Sequence, residues 1–340
     1  MSQKRIQTVN LSIKQILRES RRLFPLADES QELYRNILFN LNKSIKNFDE
    51  QINLVGIYTP EYKNAIIPLD KRYIIIDFSL MDLLIELEYI YQNNDWERFR
   101  YLYYVLSQEP ELESGNLDKV FFYSALSDKL FDEEKEIEID NSKNMLKLLH
   151  AFYFITYHEF FHDLEQQYPH SANYYSVLTD YIKAISMDTN STPSDIAKEV
   201  ICDTEAIIQI LHTGTGLDDG FTTKNEIFET CLDTLVVLSV IQLLLKRLDS
   251  SLEITKRIWA TFGWINIYLH ENEVFQDIDY VSIIDRAQQK ITLFIRNILS
   301  AAKEEQNENI LIPDLSDDEQ AELLNKFLTI KNGTIIQLEK

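Results

Sequence analysis

Residues 140–167, DNSKNMLKLLHAFYFITYHEFFHDLEQQ, decide how this chain is read. Met145, Leu148, Leu149, Phe152 and Ile155 recur at intervals of three and four, the period of one helix face. Asp140-Asn141-Ser142 supplies a capping signal at the start. Pro169 bars continuation beyond about Gln167. The helix is apolar enough to be central, and it carries His158-Glu159-Phe160-Phe161-His162 toward its C-terminal end.

Working outward, the same helical grammar recurs. Downstream, Thr192 as N-cap, Pro193 at the first helical position and Asp195 three residues on mark a helix running to about His212, where Thr213-Gly214 ends it. Asn225–Leu248 is apolar on most faces and reads as the buried centre. Further helices are expected over roughly 251–270, 277–304 and 316–329. Upstream, residues 10–49 read as two amphipathic helices separated near Pro25 (Ile13, Ile16, Leu17; then Leu33, Ile37, Leu38, Leu41). Helix resumes from Leu80 to Leu106, with acidic connections at 107–118 and 131–142. Between these lie three short β-rich runs, INLVGIY, NAIIPL and RYIIIDF, read as a small antiparallel sheet within residues 52–78. The fold is thus expected to be mainly α with one small sheet, divided as 1–50, a core at 51–305, and a C-terminal helix and tail at 306–340.

Composition narrows the setting. With seven glycines and seven prolines in 340 residues, long helices with short connections fit better than a many-turned barrel. The formal charge of −22, from 33 basic and 55 acidic residues, repels phosphate backbones, so nucleic acid is not an expected partner. The tract Tyr89, Tyr91, Trp96, Phe99, Tyr101, Tyr103, Tyr104 is accordingly read as core or groove wall and not as a base-stacking platform. Cys202 and Cys231 are far apart and read as small buried apolar side chains, which fits a reducing compartment. The N-terminal MSQKRIQTVNLSIKQ lacks an apolar h-region, so no signal peptide is expected. The most apolar window, Leu235–Leu245, falls short of a bilayer span of ~20 residues. A cytoplasmic protein without membrane attachment is expected.

The chemistry lies in the histidines. At i and i+4, His158 and His162 sit on one helix face and can present two imidazole nitrogens to one metal ion. Glu159 is turned by about 100° around the axis, the offset of a residue that reaches a metal-bound water without binding the metal. A chance HExxH is expected in about one chain in a hundred of this composition. Two histidines need a third ligand, and the 192–212 helix carries Glu199 and Asp203, again at i and i+4. Glu199 is the candidate ligand, with Asp203 placed to hydrogen-bond the outer nitrogen of a bound histidine. Glu205 is the fallback ligand. His150 is read as a rim or core residue, His170 as a turn residue, and His212 as a protonated imidazole favoured by its helix C-terminus. Gly214-Thr215-Gly216 lacks the lysine of a phosphate loop.

HEFFH followed by a helix bearing ExxxD resembles the gluzincin class of zinc metallopeptidases, Glu199 and Asp203 matching its third ligand and supporting acid. Within that class, EVICDTEAI and the small preceding sheet are similar to the phage-exclusion peptidases of the Lit type. Bulky Phe161 departs from the small residue many such enzymes place before the second histidine. The resemblance implies a zincin-like helical bundle, a Zn2+ cofactor, a protein substrate and a setting in antiviral defence. It also implies an oxyanion-stabilising His, Tyr or Arg, for which Arg257, Tyr268 and His270 stand open. In the mechanism it implies, Glu159 takes the proton of a zinc-activated water and passes it to the leaving amine. Two other readings compete: a helical binding or scaffold protein with a structural or vestigial zinc site, and a hydrolase acting on non-peptide bonds.

Overall fold

A computed structural model describes residues 28–46, 53–58, 73–130, 141–163, 193–213, 223–245, 251–272, 275–308 and 334–336, and singly 180 and 318. The protein is mainly helical, and it groups into two compact units, 1–83 with 314–340, and 84–313. The sheet therefore belongs with the first described helix and a C-terminal strand, whereas the expected core began at residue 51. The expected helix near 10–25, the run NAIIPL and, apart from residue 318, the expected helix at 316–329 lie outside the described residues.

In the first unit, α1 (Asp28–Ile45) buries Tyr34, Ile37, Leu38, Leu41 and Ile45, a stripe at three- and four-residue spacing. Strands β1 (Asn53–Tyr58), β2 (Tyr73–Asp77) and β3 (Thr334–Ile336) lie in the order β2-β1-β3. The backbone N–H of Leu54 donates to Asn42 Oδ1 at 3.3 Å, tying β1 to α1. Tyr34 stacks on Phe78 with ring centroids 4.6 Å apart.

The sheet is not the antiparallel one expected within residues 52–78. β1 and β2 pair in parallel, Asn53 opposite Tyr73 through Ile57 opposite Asp77. A parallel pair needs a crossover and not a hairpin, and strand composition alone does not distinguish the two. The antiparallel partner of β1 is β3, with Gly56 opposite Ile336.

The second unit begins within α2 (Ser79–Asn93) and continues through α3 (Trp96–Glu113), α4 (Leu117–Leu130), α5 (Asn141–Asp163), α6 (Pro193–Thr213), α7 (Lys224–Leu245), α8 (Ser251–Glu271) and α9 (Tyr280–Glu305). The helical stretch expected over 80–106 is formed by two helices, α2 and α3. Asn94 takes φ +52°, a left-handed conformation that asparagine tolerates at a helix end. Asp95 then starts α3, its side chain accepting from the Arg98 backbone N–H at 3.2 Å. The acidic stretch read as a connection from 107 is helical to Glu113. Glu111 is buried there, and its carboxylate accepts from Asn116 Nδ2 at 3.0 Å, so its charge closes the turn into α4.

α7 packs against α3, α5, α6, α8 and α9, as an all-round apolar helix must. By length and composition Lys224–Leu244 could cross a membrane, a longer stretch than the 235–245 window; 78% of its most apolar window is buried inside the protein. Of the aromatic tract, Phe99, Tyr103 and Tyr104 are buried and the others half-buried; Tyr91, Trp96 and Phe99 surround Phe294 of α9 with centroids 6.2, 5.6 and 5.4 Å away. One charge interrupts the buried stripe of α9. Lys290 is 2% exposed, paired with Glu88, with Asp233 at 3.1 Å, and set over the Tyr91 ring at 4.8 Å. Burial opposes that charge, and the two carboxylates outweigh burial and raise the lysine above its ordinary range.

Candidate metal centre

Three helices build the site. α6 packs against both α5 and α8, so its buried face, with Ala197, Val200, Ile201 and Ile208, sets the spacing of the polar groups that each helix contributes. His158 and His162 come from α5, Glu199, Cys202 and Asp203 from α6, and Arg257 and Thr261 from α8.

His158, His162 and Glu199 each offer a donor atom, all within 4.8 Å of one another, and the group could hold a metal ion. The two histidine Nε2 atoms lie 3.0 Å apart. Glu199 Oε1 is 3.3 Å from His162 Nε2, and Glu199 Oε2 is 3.5 Å from His158 Nε2. Local sequence accounts for the convergence: each pair on α5 and α6 is one helical turn apart, and the two helices turn those faces together.

Behind the donors lies a charged layer. Asp203 is fully buried, and its Oδ1 sits 2.8 Å from His158 Nδ1. Arg257 grips the same carboxylate twice, Nη2 to Oδ1 at 2.7 Å and Nε to Oδ2 at 2.8 Å, the fork geometry of guanidinium on carboxylate. Thr261 Oγ1 donates to Asp203 Oδ2 at 3.3 Å. A third guanidinium nitrogen, Nη1, lies 2.6 Å from Glu199 Oε2. Cys202 is buried with its Sγ 3.5 Å from His162 Nδ1.

The electrostatics follow. Burial alone lowers the His158 imidazole, but the Asp203 carboxylate 2.8 Å away raises it to about 10. Burial raises Asp203, yet Arg257 and His158 bring it down to about 2. Glu199 is held well below the ordinary carboxylate range, burial being outweighed by hydrogen bonds from both histidines and the charge of Arg257. Glu159 feels the charges of His158, His162, Glu199 and Arg257, and burial nonetheless pushes its carboxyl upward.

Other candidates are distributed as follows. Glu205 is fully buried and outside the converging group. His150 is buried, and His170 lies outside the described residues. Of Arg257, Tyr268 and His270, only Arg257 is at the site; His270 is about 20 Å further along α8 at 1.5 Å per residue, with Nδ1 3.1 Å from the Tyr280 hydroxyl. His212 is corrected: desolvation, with the Lys224 charge, lowers its pKa, so the dipole argument for a protonated ring does not hold. It packs edge-on to Phe275 with centroids 4.9 Å apart. Phe161 is fully buried and stacks near Tyr157 with centroids 6.5 Å apart, so a bulky residue is accommodated before His162. Cys231 is buried in apolar surroundings that push its thiol up. Sequence reasoning missed the Arg257 fork, Thr261 and the contact of Cys202 with His162. The available signal was an Arg and a Thr one turn apart among Ile254, Ile258, Ala260, Phe262 and Ile265.

Compared with models of protein families, with curated proteins and with solved structures, the chain matches none.

Proposed function

We propose that this protein is a zinc-dependent endopeptidase. The observation that carries the reading is the convergence of His158, His162 and Glu199, with Asp203 against the outer nitrogen of His158. Two imidazoles and one carboxylate are the donor set of catalytic zinc centres that keep a fourth position open. A carboxylate on the second ring nitrogen is how such histidines are oriented and made more basic. Zinc held by His158, His162 and Glu199 would supply Lewis acidity, acidifying a water and polarising a carbonyl.

The remaining work belongs to the chain. His158 and His162 stay fixed because α5 is buried at nearly every position from Leu149 to Phe161 and Asp203 lies against one ring. Glu159 accepts the proton of the attacking water and delivers it to the nitrogen of the departing amine. Burial disfavours its charged form and raises its carboxyl.

The test compares cells producing the wild-type chain with cells producing Glu159→Gln. Both proteins are expected to hold one zinc per chain, and a new protein terminus is expected only with the wild type. Cleavage by Glu159→Gln sinks the assignment of the base. Undiminished zinc in His158→Ala sinks the metal site. The likeness to phage-exclusion peptidases extends the proposal to antiviral defence: the new terminus should appear on infection and be absent from resting cells.

A further inference from the structure

Arg257 does more than neutralise Asp203. Its guanidinium spans two carboxylates on successive turns of α6, Asp203 through Nε and Nη2 and Glu199 through Nη1. The two oxygens of Glu199 are thereby made unequal. Each oxygen faces one histidine, Oε1 3.3 Å from His162 Nε2 and Oε2 3.5 Å from His158 Nε2, but only Oε2 also meets the guanidinium, 2.6 Å from Nη1 in a short charge-assisted contact.

We infer that Arg257 is a positioning residue that holds Glu199 as a one-oxygen metal ligand and so keeps a coordination position open for water. The inference rests on the metal-site reading above. A carboxylate can give a metal one oxygen or both, and a zinc centre engaged by both oxygens of Glu199 and two imidazoles already has four donors. Withdrawing Oε2 into a guanidinium leaves three protein donors. Because the same guanidinium is anchored by two hydrogen bonds to Asp203, which Thr261 also holds, the fork cannot swing away from Glu199 without breaking a buried ion pair. A lysine cannot copy this, since one ammonium is a point charge without the rigid fork.

Two spectroscopic measurements on the full chain test this independently of any substrate. X-ray absorption of the zinc-loaded wild type is expected to report one oxygen from Glu199, seen as a first shell without the close zinc–carbon feature of a chelating carboxylate; that feature in the wild type overturns the inference. In cobalt-loaded Arg257→Met, the second Glu199 oxygen is expected to take the water's position, so the visible bands should differ from those of the wild type. Identical cobalt spectra in the folded variant overturn the inference as well. If Arg257→Met does not fold, the wild-type measurement decides alone. Failure of the wild type to bind zinc at all, or zinc binding unaltered in His162→Ala, removes the metal-site reading and the inference with it. A two-oxygen Glu199 in a zinc-loaded wild type removes only the inference.

Discussion

Nδ1 of His158 and Oδ1 of Asp203 lie 2.8 Å apart, within a carboxylate whose other contacts are Arg257 and Thr261. Both oxygens of Asp203 are engaged, so the imidazole is set against a group that cannot itself turn. Asp203→Asn keeps the shape but loses the charge that orients the ring. Its zinc affinity, read by chelator competition, is expected to fall by about 10- to 100-fold, with the circular dichroism of a folded helical protein retained. Unchanged affinity would show that Asp203 does not support the metal ligand.

Phe294 sits where Tyr91, Trp96 and Phe99 meet, and it is fully buried. Phe294→Ala leaves a cavity walled by three rings that cannot collapse together. A loss of about 3–5 kcal/mol is expected, read as a lower urea midpoint. A cost below about 1 kcal/mol would contradict the packing described.

Lys290 is a buried cation answered by two carboxylates from different helices, Glu88 on α2 and Asp233 on α7. Lys290→Met is isosteric enough to fill the space but strands both anions. Glu88 and Asp233 remain about a quarter exposed, 24% and 25%, so solvent recovers part of the loss. A destabilisation of about 2–3 kcal/mol is expected, below the cost of fully buried pairs. Adding Glu88→Gln and Asp233→Asn should return much of it, which a pure packing defect would not allow.

His212 tests the pH behaviour. Its folded pKa is lowered from 6.5 by desolvation and by Lys224. Below 6.5 the unfolded chain therefore binds the proton before the folded one does, and stability falls as pH drops through that window. An NMR titration should place the imidazole midpoint below 6.5, and His212→Gln should flatten this part of the stability profile. A midpoint above 6.5 would restore the helix-dipole reading.

The donors were legible because their relationships are local. His158 with His162, and Glu199 with Asp203, are each one turn apart, and helix geometry alone puts each pair on one face. That the two faces meet follows from α5 and α6 being strongly apolar, which the composition of each already displayed. Arg257 reaches Asp203 across 54 residues of sequence, and Gly56 reaches Ile336 across 280, and no periodicity encodes such pairings. The parallel sheet was misread for the same reason: residues 53–58 and 73–77 have strand composition in either direction. His212 was misread because the helix terminus is only one of its neighbours; Lys224 and Phe275 come from other segments. Glu111 looked like loop charge, and its partner Asn116 is visible only once the turn is formed.

The position of β3 also orders events in time. β1 obtains its antiparallel neighbour from residues 280 positions later. At about 5–20 residues per second of synthesis, that edge stands bare for roughly 15 to 55 s while the intervening helices emerge. An open strand edge of this kind is a template for another chain. The newborn protein therefore has an interval in which this edge is open to a stranger, and the synthesis of β3 ends it.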